Sequence, residues 1–292
     1  MGLPVFAASD DPGPSFIGLL RSSPPLPGTP GWMAVAGLAR AGGVPGEAGT
    51  GASSVASMMR HGTTVLALRF EDGVVLAGDR RATEGHLIAY RTMEKVIQVD
   101  ELSGVAIAGV AGPAIELVRL FATQLEHYEK VEGVSLSIEG KANQLGQLVS
   151  GNLPMAMQGM VVIPLFAGFD DLSLTGRVFS FDVTGGRYEE SDYATEGSGG
   201  RNAKSALKMG WFPGMGRDDA VRLSLEAIVE AADEDVATGG PDPVRGIYPT
   251  VAVITRDGFG KVDAGEVAER VAGINDAAVA RLRPGRVRGR GE

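Results

Sequence analysis

The chain changes character between Gly62 and Thr63, and that break limits the folds open to it. Residues 1–62 hold 12 Gly and 8 Pro. Their charge is limited to Asp10, Asp11 and Glu47 against Arg21, Arg40 and Arg60, with no Lys. Such a segment cannot bury enough apolar surface to offset the entropy of ordering it. Two short stretches, Ser15–Arg21 and Trp32–Leu38, have helical character that a partner could stabilise. At Thr63 the pattern turns at once into a strand, Thr63–Phe70, followed by Glu71-Asp72-Gly73 and a second apolar strand, Val74–Ala77. The acidic two-residue step before a glycine is a hairpin signal. A folded domain that begins this abruptly after a Gly-Thr-Thr junction suggests a removable leader.

That junction has a chemical reading. If the Gly62–Thr63 bond is cut, Thr63 carries a hydroxyl and a free α-amine on one residue, and such a pair can act as nucleophile and base. An α-amine titrates near ~7.7–8.0, so it is substantially neutral near physiological pH. In the uncut chain the same nitrogen is an amide and accepts no proton. The plain alternative is that threonine is simply a good strand residue.

Downstream, strands are expected at Lys95–Val99 and Val105–Ala108. A helix opens at Gly112-Pro113, with Ile115, Val118, Ala122, Leu125 and Tyr128 along one face. A second helix is expected over Ile138–Gln158, using Ala142, Leu145, Val149 and Leu153 and interrupted by Pro154. Strands follow at Val161–Phe169 and Val178–Val183, with Gly185-Gly186 turning into Arg187–Glu190. Helices are expected at Asn202–Met209 and Asp218–Asp233, the latter burying Val221, Leu225, Ile228 and Ala232. A buried strand at Thr250–Thr255 precedes a helix at Glu266–Leu282 with Val267, Val271, Ile274 and Ala278. Strand and helix blocks alternate in clusters, which predicts an α+β fold of antiparallel sheets covered by helices.

Composition narrows the chemistry. The net charge is −9. The last twelve residues, 281–292, carry five Arg and one Glu, so the acidity is concentrated in residues 63–280. That balance gives no field to attract nucleic acid. With no cysteine, disulfides, thiolate nucleophiles and thiolate metal sites are excluded. The three histidines, His61, His86 and His127, supply a Ser-His-Asp or His-rich metal site poorly. No cofactor is expected. No run of some 18 apolar residues suggests a membrane span, and the N-terminus lacks the basic and apolar regions of a secretory signal. A cytoplasmic protein is expected.

A hydroxyl nucleophile with a weak base needs a nearby cation, a carboxylate to hold that cation, and a backbone donor for an oxyanion. Asp79 ends the second strand, Lys95 opens a later one and Gly109 follows an apolar strand, positions from which such groups could converge. Each has a plain reading alone: a turn residue, a surface lysine, a tight bend.

Six separated motifs occur together: Thr63-Thr64, Gly78–Thr83, Glu94-Lys95-Val96, Ile107-Ala108-Gly109, Gly197-Ser198-Gly199 and Asp235–Gly240. In order and spacing they resemble the β-subunits of proteasome core particles over about Thr63–Ala280. Leu125–Lys130 and Ala156–Gly159 resemble the actinobacterial branch. The resemblance implies the N-terminal-nucleophile hydrolase fold, a four-layer αββα sandwich with two antiparallel sheets between helical layers. It implies residues 1–62 as a propeptide removed by autocleavage, 63–280 as a catalytic domain, and 281–292 as a flexible Arg-rich tail.

By the same resemblance Thr63 is the nucleophile, Lys95 keeps its amine deprotonated, Asp79 orients Lys95, and Gly109 donates to the oxyanion. Ser198 and Asp235 are supporting groups, Asp235 being placed by its register with Gly239; Thr238 keeps a hydroxyl where many relatives carry Ser. Ala82, Met93, Ile97, Ile107 and Ala111 are expected to line an apolar substrate pocket, with Thr83 beside it, favouring apolar or aromatic residues before the cut. The implied partners are copies of this chain in seven-membered rings, α-type subunits, a ring ATPase, and substrates tagged by a small protein modifier. The competing readings are a silent ring subunit and another N-terminal-nucleophile amidase.

Overall fold

The computed structural model describes residues 62–282. The expectations for residues 1–61, and the expected tail from residue 283 onward, lie outside the described residues. Twelve strands and six helices are present among the described residues: β1 (Thr64–Phe70), β2 (Gly73–Gly78), β3 (Ala82–Glu84), β4 (Leu87–Tyr90), β5 (Val96–Asp100), β6 (Ser103–Gly109), α1 (Ala111–Glu132), α2 (Ile138–Gly151), α3 (Leu153–Ala156), β7 (Val162–Asp170), β8 (Thr175–Phe181), β9 (Arg187–Glu190), β10 (Tyr193–Gly197), α4 (Gly200–Gly210), α5 (Arg217–Glu234), β11 (Thr250–Thr255), β12 (Gly258–Lys261) and α6 (Ala264–Leu282). The fold is mixed α+β with antiparallel sheets, as expected from the sequence.

Two five-stranded sheets carry the architecture, one in the order β10-β1-β2-β11-β12 and the other β5-β6-β7-β8-β9; β3 and β4 form a separate hairpin. Phe70 pairs with Gly73, so Glu71-Asp72 is the two-residue turn. Three apolar clusters follow from strand alternation. Val65, Ala67, Val74 and Leu76 point to the side shared with Ala106, Leu165, Ala167 and Val178 of the second sheet. Their neighbours Leu66, Leu68, Val75 and Ala77 point the other way, against Leu207 of α4, Val221, Leu225 and Ile228 of α5, and Val267 and Val271 of α6. The second sheet turns Val105, Ile107, Phe166 and Phe179 toward Val118 and Phe121 of α1 and Ala142, Leu145 and Val149 of α2. Phe166 meets Phe121 edge-on at 5.9 Å and Phe179 at 6.0 Å, so aromatic rings fill that cluster's centre.

Several expectations need correction. The buried face of α1 is Ala114, Leu117, Val118, Phe121 and Leu125; Ile115 and Ala122 are only half-buried, and Tyr128 is exposed. The bulkier Leu117–Phe121 pair turns the helix toward Phe166. The helix expected over Ile138–Gln158 is interrupted at Asn152, just ahead of Pro154 as expected, but its second piece ends at Ala156 and not at Gln158. Proline lacks an N–H and suits the first turn of a new helix better than the interior of an old one. Strand β8 ends at Phe181, not Val183. Asp182 leaves the ladder because its Oδ1 accepts from the Thr184 N–H and hydroxyl and from the Gly186 N–H. Ala232 of α5 and Ile274 of α6 are half-buried, and Ala278 is exposed.

Candidate active site

Of the expected site residues, Asp79 with Lys95, and Ser198 with Asp235, gather around the start of β1. Thr64 opens that strand opposite Gly197 of β10, and Val65 lies opposite Gly78 of β2. The ends of those two neighbours therefore deliver Ser198 on one side and Asp79 on the other. Thr63, one residue before the strand, is 4% exposed.

Asp79 is fully buried and uses both oxygens twice. Its Oδ1 accepts from the Thr64 N–H at 2.8 Å and from Lys95 Nζ at 2.6 Å. Its Oδ2 accepts from the Arg81 N–H at 2.9 Å and the Gly239 N–H at 2.8 Å. Lys95, just ahead of β5, is 1% exposed and also donates to the Arg81 carbonyl at 2.6 Å. The surface-lysine reading therefore fails. Burial pulls the Lys95 ammonium below its ordinary value, while the Asp79 carboxylate opposes that shift. Lys95 is thus a buried cation held by one carboxylate and one carbonyl.

A second group lies on the opposite side of Thr63. Ser198 Oγ donates to Asp235 Oδ2, and Thr238 Oγ1 donates to the same oxygen at 2.7 Å. Thr64 Oγ1 and Thr238 Oγ1 are 2.6 Å apart; with the Thr238 proton committed to Asp235, Thr64 is the donor. The Thr63 N–H points to Ser198 Oγ at 3.3 Å. Asp235 caps the C-terminal end of α5, and the turn beyond it carries Thr238 and Gly239 back to β1 and Asp79. The register with Gly239 thus selects Asp235 as the carboxylate on Ser198.

The preceding residue is held too. The Gly62 N–H donates to Thr83 Oγ1 at 2.9 Å, and a Cβ at position 62 would fall 1.7 Å from the Ala237 Cβ. Only glycine fits there. In the uncut chain the Thr63 nitrogen is an amide, so the threonine hydroxyl lies beside a peptide bond pinned on both sides. Among the described residues no hydrogen bond joins Lys95 to the Thr63 hydroxyl; both Lys95 contacts go to Asp79 and Arg81.

Gly109 ends β6 with φ +111°, where a Cβ would meet the Val161 carbonyl oxygen at 2.1 Å. It lies two residues beyond Ile107, whose N–H donates to the Lys95 carbonyl. Of the expected pocket residues, Met93, Ile97 and Ile107 come together in the cluster under α1. Ala82 and Thr83 are buried in β3, and Ala111 is half-buried at the start of α1. The sequence did not disclose the Gly239 N–H, the Arg81 carbonyl or the Thr64 hydroxyl as members of the site. Backbone groups leave no trace in residue identity. The second threonine of Thr63-Thr64 was the one available signal.

Among the described residues no cluster of three or more His, Asp or Glu side chains is placed to hold a metal ion, and no helix is long and apolar enough to cross a membrane.

A buried Lys–Asp pair and a Ser–Asp–Thr hydroxyl relay converging on a threonine at a strand start define a class, and comparison with known proteins agrees. A family model described as "Proteasome subunit" matches residues 59–244. The chain belongs to the proteasome subunit family. It is similar to the protein named proteasome subunit beta in the actinobacterium Acidimicrobium ferrooxidans, 52% identical over 277 residues, which cover 95% of this chain and 94% of that one.

Proposed function

We propose that this chain is a catalytic β-subunit of a proteasome core particle and hydrolyses peptide bonds with Thr63 as nucleophile. The observation that carries the reading is that Ser198, held by Asp235, accepts from the N–H of a Gly62–Thr63 bond where only glycine fits, while Asp79 of the Lys95–Asp79 pair holds the next N–H, that of Thr64. The domain would adopt the four-layer αββα arrangement, a reading supported by the three apolar clusters.

Autocleavage comes first. Thr63 Oγ attacks the Gly62 carbonyl carbon, the C–N bond breaks, and the hydroxyl proton ends on the departing nitrogen. Water then hydrolyses the Gly62 ester and releases residues 1–62. The freed amine becomes the base for substrate cleavage. The positive Lys95 disfavours a second charge nearby and so keeps the amine neutral, with its lone pair free to take the hydroxyl proton, and Ser198, oriented by Asp235, assists that transfer. The same hydroxyl forms an acyl ester with substrate, and the Gly109 N–H serves the oxyanion. Met93, Ile97 and Ile107, with Ala82, Thr83 and Ala111, would select apolar or aromatic residues before the cut.

The relative's name supports assembly into a proteasome core with α-type subunits, in which copies of this chain would form heptameric rings as the family resemblance implies. A ring ATPase, a protein-modifier tag and a cytoplasmic setting complete the proposal.

The test is the intact mass of the chain co-expressed with its α-type partner, beside Thr63→Ala. Loss of residues 1–62 in the wild type alone is expected. A full-length chain in an assembled wild-type particle would refute the nucleophile and leave a silent ring subunit.

A further inference from the structure

Behind the Asp79–Lys95 pair lies a solvent-open cleft that the proposed reaction does not use. Its walls include Arg80, Arg81, Arg91, Asp242, Ile247 and Tyr248. Three guanidinium groups thus meet one carboxylate in a chain whose net charge is −9. That carboxylate is already taken, because Asp242 Oδ2 is 2.7 Å from Arg245 Nη1. Arg81 uses Nη1 on the Val236 carbonyl and Arg80 uses Nη2 on the Thr92 carbonyl. Neutral acceptors leave both charges unbalanced. Arg80 Nε is buried with no hydrogen-bond partner among the described residues, a costly state for a charged group's donor. Arg91 is exposed and makes no close ion pair among the described residues, its charge reaching Asp242 only at longer range.

The backbone of the same two arginines supports the catalytic side. The Arg81 carbonyl accepts from Lys95 Nζ, and the Arg80 carbonyl accepts from the N–H of Met93.

We propose that this cleft binds an oxyanion, a phosphate or carboxylate group, held by Arg80 and Arg91 and steadying the Arg80–Arg81 backbone that supports Lys95. Guanidinium forks match the planar or tetrahedral oxygens of such groups. The anion comes either from solution or from a carboxylate side chain of an adjacent subunit.

The experiment uses the assembled particle and inorganic phosphate, read by ³¹P line broadening at fixed pH and ionic strength. Phosphate binding does not involve peptide hydrolysis, so its outcome is separate from that of the catalytic proposal. For a solution anion, broadening saturates in the wild type and falls at least fivefold in Arg91→Gln. It persists in Arg222→Gln, on α5, where the arginine is paired with Asp219 and Glu226. For a neighbour's carboxylate, the wild type shows no saturable broadening, while the Arg91→Gln particle dissociates at a lower salt concentration than wild type or Arg222→Gln. Equal broadening in Arg91→Gln and wild type overturns the proposal. So does the absence of saturable broadening together with unchanged salt stability in Arg91→Gln.

Discussion

Replacing Asp79 with asparagine keeps the shape of the side chain and removes half of its acceptors. The carboxylate receives Thr64 N–H and Lys95 Nζ on one oxygen, and Arg81 N–H and Gly239 N–H on the other. An amide has one oxygen, so either orientation points its NH₂ at two donors. With the NH₂ toward Arg81 and Gly239, two backbone donors lose their partner, at about 1–3 kcal/mol each. In both orientations the neutral amide also deprives the buried Lys95 ammonium of its counter-ion, and breaking a buried pair costs about 3–5 kcal/mol. The expected loss is therefore at least about 4 kcal/mol in either orientation, a large share of the ~5–15 kcal/mol that holds a domain folded. The loss also has a chemical side: without the carboxylate that opposes the effect of burial, the Lys95 value falls further below its ordinary range. Urea unfolding of Asp79→Asn in a Thr63→Ala background measures stability without interference from processing. Intact mass over time in the Thr63 background measures cleavage, which should slow at least tenfold. A midpoint shift equivalent to less than about 1 kcal/mol with undiminished processing would refute this account of Asp79.

Two further substitutions probe the site and the pH response. Gly62→Ala places a methyl against the Ala237 Cβ at 1.7 Å, so the bond must shift away from Thr63 Oγ and processing should slow tenfold or more by intact mass; an unchanged rate contradicts the fit. Glu196 on β10 is pushed up to about 7 from 4.5, chiefly by burial and then by Glu190, with Lys204 opposing. Between those values the folded chain keeps a proton that the unfolded chain has released, so this contribution is full below about pH 4.5 and fades as pH rises through about 7. Discounted for partial solvent exposure, Glu196→Gln should stabilise by about 1–2 kcal/mol at pH 8 and by nothing measurable at pH 4.5; thermal melts at the two pH values check this, and an equal gain at both would count against it.

What the sequence disclosed depended on whether a residue's own chemistry or its partner decided its structure. The β1–β2 hairpin was legible because Glu71-Asp72 separates two apolar runs, and β11 was read with the same ends it has in the structure. By contrast β10, Tyr-Ala-Thr-Glu-Gly, shows no strand pattern and becomes one by pairing with β1. The β3–β4 hairpin and β12 went unread for similar reasons: each is three or four residues long, and β4 is exposed throughout. Within the site, Thr63, Asp79, Lys95, Ser198 and Asp235 were visible as side chains in a familiar order, whereas the groups that hold Asp79 are mostly peptide N–H donors.

The wiring of Asp79 also sets a clock. The carboxylate waits for Gly239, 160 positions further along the chain, and Thr64 waits for Thr238, 174 positions away. During synthesis the threonine at position 63 is made early and the groups that frame it arrive late. Under the proposed autocleavage, a growing chain would carry the Gly62–Thr63 bond for most of its elongation without the surroundings that act on it, and the order in which the residues are made would itself guard against early cleavage.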